Sequence, residues 1–164
     1  MDEYRALCGP LLEAALKGDW MAAKAFLDKH PECVRAPITK EQGTALHNAV
    51  VAQHTTFTKE LLKRMTPKDL ELRTIQKVTA LHFAAQSGIV GIAEQLVKIN
   101  KKPLLFHDED ERKPLLYALE FGDRNMVSYL FSVTPFEQLT ADDRIVLLLR
   151  TIYFDMHGKP YIRQ

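Results

Sequence analysis

Apolar and polar positions along this chain fall into one pattern, written four times. Leu11, Leu46, Leu81 and Leu115 stand 35, 35 and 34 residues apart. Three residues after each leucine comes a small residue: Ala14, Ala49, Ala84 and Ala118. Seven after it come Gly18, Gln53, Gly88 and Gly122. Fifteen after it come Phe26, Leu61, Leu96 and Leu130, each followed by a second apolar residue: Leu27, Leu62, Val97 and Phe131. The spacing predicts a short helix, a tight turn, a second helix and a long connection in each unit. Alanine lets neighbouring first helices approach closely. Glycine at the turn supplies the positive φ that ends a helix. The apolar pairs close a core that no unit could bury alone. The fold class is therefore all-α, a solenoid of stacked helix-turn-helix units. The whole of 1–164 reads as one domain. Its units lie near 8–40, 41–75, 76–110 and 111–140, with a half unit at 141–156 and a frayed tail at 157–164.

Local punctuation refines this picture. Thr66-Pro67-Lys68-Asp69 joins a capping threonine to proline at the first helical position and an acid in the first turn. Thr134-Pro135-Phe136-Glu137 repeats the device, with glutamate placed for a capping box. Short helical turns are expected at 67–71 and 135–139. Thr140-Ala141-Asp142-Asp143 opens a last helix, Arg144 to Ile152, whose partner helix is missing. End units of repeat arrays need a polar outer face. This helix is too apolar for that, so an exposed strip is expected near Ile145, Leu149 or Ile152, open to a partner or to a second copy of the chain.

Two units spell out a signature: Thr44-Ala45-Leu46-His47-Asn48-Ala49 and Thr79-Ala80-Leu81-His82-Phe83-Ala84. Here the chain resembles the ankyrin repeat, whose first helix carries T-P-L-H-x-A. Both units have alanine in place of proline. Pro114 restores the proline in Lys113-Pro114-Leu115-Leu116-Tyr117-Ala118, while Leu116 replaces the histidine. The first unit, Pro10-Leu11-Leu12-Glu13-Ala14, also lacks the histidine, and Gln53 takes a glycine position. The resemblance covers about residues 8 to 134.

A narrower likeness runs through the segments 15–20, 65–70, 126–130 and 139–144. They look like plant ankyrin proteins that carry a C-terminal multi-span membrane domain of the PGG type. In that family the repeats face the cytoplasm. Nothing in this chain matches the membrane part, so the resemblance implies a truncated, partial or shortened member, or a portion of a membrane-anchored signalling protein.

Charge and composition narrow the function. The net charge is +1, with 46% hydrophobic and 26% charged residues. A general nucleic-acid binder would show a basic excess, and a disordered chain would be less apolar. The longest apolar run, Ile145 to Leu149, is far short of the roughly 20 residues that span a bilayer. The first residues, Met1 to Arg5, do not resemble a signal peptide. Cys8 and Cys33 lack metal or redox spacing and read as reduced thiols. A cytoplasmic chain follows, placed at the cytoplasmic face of a membrane if it belongs to a longer protein.

No catalytic, cofactor or metal site is expected. There is no G-x-S-x-G elbow, the seven glycines are scattered turn residues, and the histidines show no ligand spacing. His47 and His82 could form a metal pair or a general base. Their equivalent positions favour a repeated structural role, bonding to nearby backbone and hydroxyl groups. Phe83 and Tyr117 suit packing between units or an aromatic patch. Phe121 either anchors a partner or is partly buried. The acidic finger Asp108 to Glu111 could steer a basic partner, or be a solvated loop tip. The ankyrin resemblance implies a protein partner at the concave face of fingers and first helices. The residues assigned there are Gln42, Gln76, Lys77, Gln86, Glu109, Asp110, Glu120 and Phe121.

Overall fold

The computed structural model describes residues 2–121 and 123–157. Among them are helices and turns and no strand. The helices come in chain order as α1 (Asp2–Lys17), α2 (Trp20–Leu27), α3 (Ala45–Val51), α4 (Thr55–Leu62), α5 (Ala80–Ser87), α6 (Val90–Ile99), α7 (Pro114–Phe121), α8 (Arg124–Val133) and α9 (Ala141–His157). Each odd helix from α1 to α7 packs on the even helix that follows it. The odd helices also form a row, α1 on α3, α3 on α5, α5 on α7 and α7 on α9. The even helices α2, α4, α6 and α8 form a second row behind them.

The repeated positions explain the row. Leu11, Leu46, Leu81 and Leu115 are all buried, as are the four alanines three residues on. With no bulk beyond Cβ, the alanines let each odd helix lie against the next. Leu61, Leu62, Leu96 and Val97 are buried as expected. The end units differ. Phe26 is half-buried, and Phe131 is 55% exposed, since among the described residues no helix stacks beyond α8 on its row.

Turn chemistry follows the period with one exception. Gly18 and Gly88 adopt φ of 70° and 71°. Gln53 takes the same left-handed turn at φ 62°, where a side chain is strained. Gly122 lies outside the described residues. Gly18 is also needed for space, since a Cβ there would come within 2.7 Å of the His54 ring. That ring in turn lies 3.0 Å by Nε2 from the Leu16 carbonyl, joining the second unit to the first.

The connections hold more structure than expected. The turn at Pro67–Glu71 is a 3-10 turn, with the Thr66 amide donating to Asp69 at 2.7 Å. Further 3-10 turns occupy Pro31–Arg35 and Lys102–Leu105. Each holds a proline at its start, as the turn at Pro67 does. The turn near 135 shrinks to Phe136–Gln138, and the Glu137 box does not form. Thr134 instead ends α8.

Two expectations at the ends change. α1 begins at Asp2 and runs through Pro10, longer than a unit starting at residue 8. Buried Cys8 and Leu11 fix the helix on either side of that proline. Cys8 and Cys33 are not separate reduced thiols. They form a disulfide, with Cα atoms 5.7 Å apart, between α1 and the turn after α2. The stacking of α1 against that turn brings them together, which a separation of 25 residues does not reveal. These cysteines therefore do not point to a reducing compartment.

α9 reaches His157, so this residue is helical and not part of the expected frayed tail; residues 158–164 of that expectation lie outside the described residues. α9 sits on α7 through buried Asp143 and Leu147. Ile145, Leu148, Leu149 and Ile152 on another face are exposed, which is the strip expected from the sequence. Among the described residues no helix is long and apolar enough to cross a membrane.

Candidate partner-binding surface

Three fingers project between the units at residues 39–43, 74–78 and 108–112. Each tip has a non-glycine residue in the left-handed region: Gln42 at φ 61°, Lys77 at 59° and Glu111 at 59°. Each finger is closed by the side chain seven residues before the repeat leucine. Thr39 Oγ1 accepts from the Gly43 amide at 2.9 Å, and Thr74 Oγ1 from the Val78 amide at 3.2 Å. Asp108 Oδ1 accepts from the Arg112 amide at 2.9 Å. The fingers are also joined sideways. The Ile75 amide donates to the Glu41 carbonyl at 2.9 Å, and the Glu109 amide to the Gln76 carbonyl at 3.2 Å.

The third finger is built around a charge. Asp108 is buried, and its carboxylate also accepts from the Asp110 amide, the Arg112 guanidinium at 2.7 and 3.0 Å, and the Tyr117 hydroxyl at 2.7 Å. Burial works against ionisation of Asp108, but the bonds from Arg112 and Tyr117 outweigh it and hold its pKa below the usual carboxylate range. Burial, together with the Asp108 bond, pushes the Tyr117 hydroxyl up. Arg112 also meets Asp110 at 3.0 Å and Glu120 at 3.2 Å. The expected four-residue acidic tip is thus corrected. Asp108 is the internal clamp, and only Glu109, Asp110 and Glu111 are exposed.

The two histidines serve the backbone. In α3, the Thr44 amide donates to His47 Nδ1 at 3.1 Å; in α5, the Thr79 amide donates to His82 Nδ1 at 3.1 Å. The threonine oxygens cap the helix in return. With Nδ1 accepting, Nε2 carries the proton. His82 Nε2 donates to the Arg112 carbonyl at 3.2 Å, tying one unit to the next. Burial pushes both rings down to a pKa of about 4, against the pull of nearby carbonyls. In the fourth unit Lys113 and Leu116 replace this pair. Lys113 reaches Asp143 of α9 at 2.6 Å instead, and Asp143 forms a reciprocal cap with Thr140.

Toward the C-terminal ends of the odd helices lies an open groove of about 420 Å³, lined by Val51, Gln53, Phe83, Gln86, Ser87 and Phe121. It joins residues of α3, α5 and α7. Phe121 is 46% exposed, with its ring 6.4 Å from Tyr117. It is therefore both partly packed and available. Phe83 is half-buried, edge-on to His47, while Tyr117 is buried against His82. Of the assigned contact residues, Gln76, Lys77, Gln86, Glu109, Asp110 and Phe121 are exposed. Gln42 is half-buried and Glu120 is held by Arg112. The groove brings together Gln86 and Phe121; Gln42, Gln76, Lys77, Glu109 and Asp110 stand on the fingers. Sequence reasoning passed over Val51, 55% exposed on the groove wall, although it shares the phase of Gln86 and Glu120. Among the described residues no group of three or more His, Cys, Asp or Glu side chains could hold a metal ion.

Stacked helix pairs, a row of joined fingers and an open groove define a helical-repeat protein that presents a surface. A family profile, "Ankyrin repeats (3 copies)", matches residues 11–103 and 63–142. The chain belongs to the ankyrin-repeat family, whose repeats generally mediate protein–protein interaction. No curated protein matches the chain.

Proposed function

We propose that this chain is a non-catalytic protein-interaction scaffold whose contact face is the concave surface of fingers and odd helices. The observation that carries this reading is the open groove on the odd helices, where exposed Val51 and Phe121 flank half-buried Phe83, together with a pre-formed row of fingers. Neighbouring units lock the surface, so little ordering entropy is lost on binding. Exposed aromatics set in a groove are the side chains that dominate interface energies. Replacing Phe121 by alanine is expected to cost at least about 1–2 kcal/mol of affinity for a protein that docks across the last two units. Titration calorimetry of both forms measures this, and an unchanged affinity removes the anchor role.

A second surface supports a second reading, self-association through α9. Ile145, Leu148, Leu149 and Ile152 recur at helical spacing and are 54%, 62%, 60% and 48% exposed. Light scattering over a concentration series is expected to show a rising mass that Leu149→Glu abolishes. A constant monomer mass rejects pairing. The setting beside a plant-type membrane domain rests on the segment resemblances alone, and a transcript continuing past Gln164 into several apolar segments would support it.

A further inference from the structure

A second groove opens on the other side of α7. It holds about 450 Å³ between the third finger, α7 and α9. Its apolar lining is Leu116 and Val146. Its walls carry Asp110, Glu111, Glu120, Asp142 and Asp143 against Arg112, Lys113 and Arg150. The bases are already committed. Arg112 is shared among Asp108, Asp110 and Glu120, and Lys113 is bonded to Asp143. Arg150 has an interaction of its own. Glu111, 3.3 Å from the His107 ring, and Asp142 are exposed on the walls, and five carboxylates against three bases give the groove a negative excess over an aliphatic lining. That combination matches the long side chain of lysine or arginine, whose methylene stem lies on apolar surface while its head meets carboxylates.

The two grooves adjoin. Phe121 lines the first and Glu120 the second, as neighbours at the end of α7. One helix separates them, about 10 Å across. An extended chain covers that distance in about three residues. We infer that the concave face takes an extended segment of a partner protein, an apolar anchor in the Phe121 groove and a lysine or arginine about three residues away in the acidic groove. This rests on the concave face being the contact surface. Charge also sets direction. The first two finger tips carry Lys40, Glu41 and Lys77, whereas the third carries Glu109, Asp110 and Glu111. The basic end of the segment therefore lies toward α9.

Selection of random linear peptides on the full chain tests this. The expected winners pair an aliphatic or aromatic residue with a lysine or arginine about three positions away. Their affinity is expected to fall at least tenfold with Phe121→Ala. It is expected to fall about tenfold with Glu111→Lys combined with Asp142→Lys, and less with Glu111→Gln and Asp142→Asn. Exchanging the peptide's base for glutamate is expected to restore binding to the reversed variant. Circular dichroism of each variant verifies the fold. Winners that need Phe121 but ignore the charge reversal overturn this inference and leave the concave face standing. Winners indifferent to both substitutions overturn both. Acidic or purely apolar winners, or no enrichment over a blank surface, overturn the inference as well.

Discussion

Lowering the pH from 7 to 5 is expected to remove about 4 kcal/mol of stability, half from His47 and half from His82. Both rings are buried, and each accepts a backbone amide on Nδ1, the atom a proton would need. Their folded pKa of about 4 lies below the ordinary histidine value of 6.5, which holds in the unfolded chain. Between those values the unfolded chain binds protons that the folded chain refuses. Stability is therefore full above about 6.5 and falls as pH drops toward 4. Carboxylates add a further loss at the acid end. Asp108 and Asp143 have depressed folded pKa values, so their contribution is lost below the ordinary aspartate range. Urea denaturation at stepped pH measures the slope. A flat free energy between pH 6.5 and 5 would contradict the assigned tautomers.

Replacing Asp108 by alanine is expected to destabilise the chain by about 3 kcal/mol. The carboxylate is 3% exposed and meets two amides, a guanidinium and a phenol. Without it, the buried Tyr117 hydroxyl loses its acceptor. Arg112 is 35% exposed and keeps Asp110 and Glu120, which places the loss at the low end for a broken buried pair. The third finger also loses the side chain that closes it. Denaturant titration of Asp108→Ala against the parent chain gives the number, and a loss under about 1 kcal/mol would show that Arg112 holds the finger alone.

These two sites differ in how far the sequence announces them. The histidines repeat 35 residues apart beside capping threonines, so their structural role is readable from phase. The helix pairs are readable for the same reason, because leucine, alanine and turn positions recur and each is a local requirement. Asp108 hides in an acidic run that looks solvated. Its phase with Thr39 and Thr74 was the available sign, since all three close a finger with one side-chain oxygen. The Cys8–Cys33 bond and the Lys113–Asp143 pair depend on how elements stack, which no local pattern encodes. Phe121 was legible as a turn-proximal aromatic. The groove around it was not, because Val51 and Phe83 come from two other units.

The sideways bonds from Ile75 to Glu41 and from Glu109 to Gln76 turn separate loops into a comb. A molecule that grips one tooth pulls against the stiffness of all three. Spreading the teeth breaks an amide bond per gap, so their pitch is held, and on the proposed reading a ligand laid across them would meet a fixed gauge.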